Sequence, residues 1–571
     1  MIRSSSIFLT LGRSVGGGTV GRSGGRMVRQ LSGNRSAAKD IQRQEDVTPG
    51  QGDVQPDQQE ASAKEIKPQG EGLHRARTNF NHPQYYPTLR SLPYHTTLRV
   101  PEFIRQFKEV DFSHQPHKRS PEVVNLMGKI ANVRKSGKSM YFIDLTQDEA
   151  TVQIMATNKL MDLNATEFHH HHGDLRKGDG VSCVGHAAVT NTGQLTLKCT
   201  QPLRMLTPCL NSMKLPEKLV DRKVINGNKV LNYVIDGKAR EKIILRSRLV
   251  TLMRDFFNRR SFLEVSTPIM TGPSTGANAK PFITRANSID SDLQLRVAPE
   301  LWLKRLVVAG FDKVYEIGSN FRNEGVDGTH NPEFTSCEFY CSYFQLEDLV
   351  DTTEDLVHYL YGELSSEFDI SHLDDLQGKF DRFEFIPTIE SRTGVELPVT
   401  LSSENLITYH EKIGLSLPKI KSPASLLDNL AATYLESINA GTNKPTIIYN
   451  HPAVLSPLSK STFIKYGRRE YDISLRFEMF IDGKEYVNAY EEENSPFEQY
   501  EKFKLQQASK EDFNDEESLI PDWNYIKALE YGLPPTGGWG CGIDRLVMLF
   551  SRSERIEEVL SFGTVEDVLR N

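Results

Sequence analysis

The alternation of apolar and polar positions is clearest between Val314 and Phe344. Val314–Phe321 (VYEIGSNF) and the stretch running into Cys341–Phe344 (CSYF) both alternate with a period of two, the period of a strand. The polar, Gly-containing run between them reads as a hairpin loop. Side chains two positions apart share a strand face. Tyr315, Ile317 and Phe321 therefore form one face of the first strand, and Glu316, Asn320, Arg322 and Glu324 the other. The return strand sorts in the same way, with Thr335, Cys337, Phe339 and Cys341 set against Phe334, Ser336, Glu338 and Tyr340. One face of the hairpin is a core face. A solvated face would carry Lys, Thr and Glu; this one carries an Arg, carboxylates and two aromatics, and reads as the floor of a ligand site.

The same reading extends along the chain. A short amphipathic helix is predicted near Pro101–Val110, then five strands at Val123–Val133, Ser139–Thr146, Thr151–Thr157, Gly180–Thr190 and Gln194–Thr200. Five short strands joined by polar turns predict a small β-barrel, an OB-fold. Such barrels commonly hold single-stranded nucleic acid on aromatics beside a basic groove. Lys118, Arg119, Lys129, Arg134, Lys135 and Lys138 lie on or before the first hairpin and supply a local basic patch. Apolar residues at helical spacing predict a helix over Ile243–Phe262. Another starts in Ala298–Leu306 (APELWLKRL), where Glu300 can serve a ligand or simply the helix N-terminus. Residues 346–444 read as amphipathic helices and loops without recognisable chemistry. Strands return over Leu475–Asn494 and turn at Asp482–Gly483, a favoured two-residue hairpin turn. Gly537–Phe550 (GGWGCGIDRLVMLF) reads as a Gly-rich strand running into a helix.

Composition narrows the classes. The 571 residues are 25% charged and 38% hydrophobic, as in ordinary globular proteins, and no apolar run reaches the ~20 residues of a membrane span. Net charge is −7, so nucleic-acid contact must rest on a local patch. Six cysteines without a CxxC pair read as reduced thiols with no structural zinc. The four histidines after Phe168 (His169, His170, His171 and His172) point in different directions without spaced Cys or acidic partners, and read as a solvated loop. Residues 1–39 contain no acidic side chain and are rich in Ser, Gly and Arg, the composition of a mitochondrial transit peptide; Arg29–Ser32 resembles a matrix-protease cleavage pattern. Residues 40–75 are rich in Gln, Glu, Pro and Gly and read as a disordered linker.

FRNE (Phe321–Glu324), HNPEF (His330–Phe334) and CEFY (Cys337–Tyr340) together resemble motif 2 of class II aminoacyl-tRNA synthetases, in the form found among lysyl enzymes. FLEVSTPIM (Phe262–Met270), with Pro268, resembles motif 1, which builds the dimer interface in that family. GGWGCGIDRLVMLF resembles motif 3, and the motifs occur in the family's order. The resemblance spans roughly 83–563. It implies an α+β fold in which an antiparallel sheet flanked by helices (241–571) follows an OB-fold anticodon-binding domain (76–215) and an inter-domain linker (216–240). It also implies ATP, Mg2+, lysine and tRNA-Lys as ligands, a homodimer, and a mitochondrial matrix enzyme.

Carried over by position, the resemblance assigns roles. Arg322 would hold the α-phosphate and substrate carboxylate, and Arg545 the γ-phosphate. Adenine would lie between Phe334 and Arg545 with Glu324 on its amino edge and His330 nearby; Asn323, Asn331 and Gly542 complete the ATP site. Glu478 and Glu485 would hold magnesium. Gly276 and Glu300 would meet the substrate α-amine, while Glu338, Tyr340, Asn488, Tyr490 and Glu492 line the lysine pocket. Phe142 would stack on an anticodon base, or is an ordinary barrel core residue, and Gln153 would hydrogen-bond one. Glu485 and Asn488 are three apart, so serving one site requires a β-bulge near Val487. The chain departs from the family at Gln194, where a Glu is usual, and over Asp221–Asp236, where an Arg/Tyr-rich linker is usual. A sibling enzyme charging Asp or Asn is disfavoured by the pocket carboxylates, and a catalytically dead RNA-binding paralogue by the intact Arg322, Glu324 and Arg545.

Overall fold

The computed structural model describes residues 80–570, apart from 81, 93–94, 212–214, 217, 273–275, 278 and 514–519. The segments read above as a transit peptide (1–39) and a linker (40–75) lie outside the described residues. No helix among the described residues is long and apolar enough to cross a membrane.

A helix, α1 (Val100–Phe107), is set by Pro101 in its first turn and by Glu102, which accepts the Arg99 N–H at 2.9 Å. It buries Val100, Phe103 and Phe107 against a barrel. The barrel strands are β1 (Arg119–Ser136), β2 (Met140–Gln147), β3 (Ala150–Thr157), β4 (Gly180–Val189) and β5 (Leu195–Cys199). β1, β2 and β3 form an antiparallel meander, β3 pairs with β5 in parallel, and β4 joins β5 to β1 and closes the ring. The five predicted strands are all present. Alternate positions such as Tyr141, Ile143 and Leu145 fill the interior.

The histidine run is not a loop. Asn164 and Glu167 form a capping box that starts α2 (Ala165–His172), so the histidines occupy the end of a helix. His172 is fully buried: its Nδ1 lies 2.8 Å from the Phe168 carbonyl and its Nε2 accepts the Leu203 N–H. These partners fix the tautomer with the proton on Nδ1. Burial pushes this imidazole down to about 4, so it is a neutral packing residue.

The segment that departs from the family forms two short helices, Arg222–Asn226 and Lys229–Ile235. Asn226 and Lys229 bond to Glu557, and the Tyr233 hydroxyl donates to the Ser561 carbonyl at 2.9 Å. The stretch is thus docked on the C-terminal residues. The helix expected from Ile243 begins earlier as α3 (Gly237–Arg259), with Asp236 accepting the Lys238 N–H.

An eight-stranded sheet organises the remaining described residues. Its strands are β6 (Leu263–Glu264), β7 (Lys313–Phe321), β8 (Glu333–Ser342), β9 (Asp381–Glu384), β10 (Thr446–Tyr449), β11 (Arg476–Ile481), β12 (Lys484–Glu491) and β13 (Thr536–Gly542). The order is β9-β10-β11-β12-β13-β8-β7-β6, antiparallel except for a parallel pair at each edge. Three of the helices that accompany it bear on the site: α4 (Glu300–Val308), α5 (Leu346–Leu364) and α6 (Ile543–Phe550). α3, α5 and α6 cover one face of the sheet, where Phe257, Tyr315, Cys337, Phe339 and Trp539 share a core. The Phe339 and Trp539 rings stack at 5.2 Å. That face is the predicted core face of the hairpin.

Candidate active site

The opposite face of the sheet opens into a cavity of about 460 Å³. β13 makes room for it. Trp539 and Cys541 point into the core, and Gly538, Gly540 and Gly542 fall on the cavity side. A Cβ on Gly538 would strike Glu492 and meet the Tyr340 ring at 2.7 Å. Gly540 lies between Glu338 and Asn488 across the neighbouring strands.

The hairpin pairs as its alternation requires, Glu316 opposite Glu338 and Asn320 opposite Phe334. One residue of the predicted ligand face is taken. Glu316 is buried, held by Arg296 at 2.6 Å and by the Thr267 hydroxyl at 2.7 Å, and serves as an internal strut. The required bulge is present: Met479 pairs with Val487 and Phe480 with Glu485, leaving Tyr486 as the extra residue. Tyr486 and Val487 enter the core, and Glu485 and Asn488 both reach the cavity.

Of the residues assigned to ATP and lysine, all but Asn323 and Glu492 line this cavity. Asn323 is exposed and its N–H donates to the Lys280 carbonyl. Cations gather in one part of the site. Arg545 lies 2.8 Å from His330 Nε2 and donates to the Glu485 carbonyl at 3.0 Å. The Arg322 guanidinium, rather than Arg545, lies over the Phe334 ring, 5.1 Å from its centroid. Its buried Nε has no hydrogen-bond partner. Burial depresses Arg322, and Glu324, Glu485 and Glu338 oppose the depression. A buried guanidinium with an unmet donor is suited to an anion.

Carboxylates gather in the other part. Glu300 starts α4, but not merely as a capping acid: its Oε1 accepts from Lys304 Nζ and from the Tyr490 hydroxyl, both at 2.6 Å. Glu338 accepts from the Tyr340 hydroxyl at 3.3 Å. Burial, reinforced by Glu300, pushes the Glu338 carboxyl up to about 8. Glu492 lies behind the cavity wall, buried and ion-paired with Lys304.

A third group is acidic as well. Burial alone would raise Glu478, but Arg476 and His451 outweigh it and hold the carboxyl at about 2. Glu485 is pushed up by burial and by Glu478, and Glu436 rises to about 7 through burial, Glu478 and Glu485. Among the described residues no group of three or more side chains comes together as metal ligands, but Glu478 and Glu485 both reach the cavity, and two carboxylates fit a magnesium ion that takes its other ligands from water and phosphate.

Residues to which the resemblance assigns no role also hold this site. Asp544 is buried, ion-paired with Arg246 of α3, and accepts the Thr335 N–H at 2.7 Å, so it ties α3, β8 and α6 together. Lys304 was legible as the i+4 partner of Glu300 on α4.

On the barrel, Phe142 is half-buried and alternates with the core residues Tyr141 and Ile143, so it faces outward and is not a core residue. Its cross-strand partners are Arg134 and Met155. Gln153 is buried, its Oε1 accepting from the Thr196 hydroxyl at 3.0 Å, and it pairs across the ladder with Asp144. Lys198 is depressed by burial and by the nearby Arg119 and Lys118, which marks a local cationic patch. Gln194 is exposed.

A family model described as tRNA synthetases class II (D, K and N) matches residues 222–566, and one described as OB-fold nucleic acid binding domain matches residues 124–202. The chain is similar to a mitochondrial lysine–tRNA ligase of Schizosaccharomyces pombe, 40% identical over 449 residues, covering 77% of this chain and 84% of that protein. It is 36% identical over 541 residues to a mitochondrial lysine–tRNA ligase of Saccharomyces cerevisiae, covering 85% and 90% respectively. A lysine–tRNA ligase of Aquifex aeolicus is 37% identical over 470 residues, covering 81% of this chain and 75% of that protein.

Proposed function

The chain belongs to the class II aminoacyl-tRNA synthetases as a lysine–tRNA ligase, and from that premise we propose that it activates lysine with ATP as lysyl-adenylate and transfers the lysyl group to tRNA-Lys for mitochondrial translation. The observation that carries this reading is the polarity of one cavity. Arg322 and Arg545 meet there with Glu300 and Glu338, so a site for phosphates adjoins a site for ammonium groups.

In the first step the lysine carboxylate attacks the α-phosphorus of ATP in line and displaces pyrophosphate. The chain contributes position and charge rather than covalent chemistry. Arg322 brings the two reacting anions together, and its unmet Nε–H is the donor for the incoming oxygen. Arg545 holds the γ-phosphate, braced by the Glu485 carbonyl and by His330. Phe334 and Glu324 hold adenine, with Asn331 and Gly542 completing the nucleotide site. Glu478 and Glu485 would hold magnesium, which when bound neutralises phosphate charge. Glu300 and the Gly276 backbone receive the α-ammonium; Glu338 and Tyr340 receive the ε-ammonium, with Asn488 and Tyr490 along the stem. In the second step a ribose hydroxyl of the terminal adenosine of the tRNA takes the lysyl group, while the barrel's outward Phe142 and cationic patch hold the anticodon. Gln153, being buried, reads a base only through the part of its amide that Thr196 leaves open.

The proposed organisation is a barrel domain (76–215), a linker (216–240) and a catalytic domain (241–571), with residues 1–39 as a matrix address. A homodimer through motif 1 is supported by exposed apolar side chains at Leu263, Ile269 and Met270, beside the exposed Pro268.

Pyrophosphate exchange with each amino acid tests the reading, and lysine alone should support it. Glu338→Gln keeps the shape and removes the charge; it should lose about 2–4 kcal/mol in kcat/KM for lysine, with ATP binding retained. Exchange with aspartate, or wild-type lysine kinetics in Glu338→Gln, contradicts the assignment. Sedimentation equilibrium at micromolar concentration should give a dimer, and an active monomer argues against the motif 1 interface. A reporter carrying residues 1–40 should enter mitochondria, and its retention in the cytosol removes the address.

A further inference from the structure

Lys304 is a fully buried cation in the wall of the lysine pocket. Its Nζ contacts Glu300 Oε1 at 2.6 Å and the Glu492 carboxylate. The rings of Tyr490, Tyr340 and Tyr525 surround it, with centroids 5.5, 5.9 and 6.0 Å away. Lys304 does not line the cavity; Glu300 does, and Glu492 abuts Gly538, which does. Apart from the ion pair with Lys304, neither Glu492 oxygen has a hydrogen-bond partner.

The charges in this region can be counted. Glu300 and Glu492 are buried and Glu338 is half-buried; once Glu338 ionises to receive an ammonium, the three carry three negative charges against one resident ammonium. Lysine brings two ammonium groups, and its carboxylate goes to Arg322. The deficit of two matches the substrate. Without the resident cation, three carboxylates would crowd around two ammonium groups, and one of them would have to be neutral. Burial alone would depress Lys304, but Glu300 and Glu492 outweigh it and hold the ammonium above the ordinary lysine range. Burial raises Glu492, Lys304 opposes the rise, and Glu300 adds to it.

Building on the assignment of lysine to this cavity, we propose that Lys304 is a specificity-determining positioning residue. It cancels one of three carboxylate charges and fixes Glu300 and Glu492, leaving two negative charges for the two ammonium groups of lysine. An amino acid with a neutral side chain then supplies no cation for Glu338 and forgoes that ion pair. Lys304 itself touches no reacting atom.

The test compares lysine and ATP KM values in pyrophosphate exchange for the wild type, Lys304→Met, Glu492→Gln and the double variant. Lys304→Met should raise the lysine KM at least about tenfold and leave the ATP KM within about twofold, the loss expected when one partner of a buried pair is removed. Glu492→Gln alone leaves the resident cation in excess, so it too should raise the lysine KM. The double variant should have a lower lysine KM than Glu492→Gln, because removing the excess cation restores the balance. A purely structural role would move the lysine and ATP KM values together, whereas a charge-balancing role moves the lysine KM alone. If Lys304→Met fails to fold, the comparison of Glu492→Gln with the double variant still decides, since the double variant leaves no unpaired charge. A wild-type lysine KM in Lys304→Met, or a double variant no better than Glu492→Gln, overturns the proposal. A wild-type enzyme without lysine-dependent exchange overturns the reading of the cavity itself, and the role of Lys304 with it.

Discussion

The site depends on a strand that is bulky on one face and bare on the other. β13 places Trp539 and Cys541 in the core, where Trp539 stacks on Phe339 and its indole N–H donates to Thr353 at 3.0 Å. On the other side Gly538, Gly540 and Gly542 leave the backbone open. The strand needs its packed face to stay in the sheet, because glycine alone is a poor strand former. It needs its bare face because a side chain at Gly538 would displace Glu492 and Tyr340. Neighbouring strands then project Glu338, Asn488 and Tyr490 over a floor of peptide groups. The cavity is a consequence of this asymmetry.

Within it, water exclusion makes charge the main currency of recognition. A desolvated carboxylate is unstable unless something cationic arrives, and burial and Glu300 push Glu338 upward for this reason. The same holds in reverse for the buried donor of Arg322. The two halves are thus each incomplete alone and complementary to a ligand carrying ammonium groups at one end and phosphates at the other. Asp544 holds the halves in register by linking α3, β8 and α6 through Arg246 and Thr335.

Much of this was legible in the sequence because period two is a strict code. It sorted Tyr315, Cys337 and Phe339 into the core and Phe334, Glu338 and Tyr340 into the site. The three-residue spacing of Glu485 and Asn488 demanded a bulge, and the extra residue is Tyr486, next to the expected position. Periodicity is silent about what fills a charge's surroundings. Glu316 obeys the pattern yet is consumed by Arg296, more than a dozen residues upstream, and Glu492 by Lys304 on a distant helix. The histidine run misled through composition, because the capping box at Asn164 and Glu167 outweighs four polar rings. The departure over Asp221–Asp236 had no reading from sequence, since its helices are specified by contacts with Glu557 and Ser561 over three hundred residues away.

Lysine recognition by a desolvated carboxylate is the central claim, and proton release measures it most directly. Burial and Glu300 push the Glu338 carboxyl up to about 8, so receiving an ammonium at pH 7 should draw a proton off it. Calorimetric titration of lysine at pH 7, in buffers of different ionisation enthalpy, should therefore show close to one proton released per lysine bound. It should show little release at pH 9, where the carboxyl is already ionised in the free enzyme. Heats independent of buffer at pH 7 would show that no carboxyl changes its charge on binding, and would contradict the account.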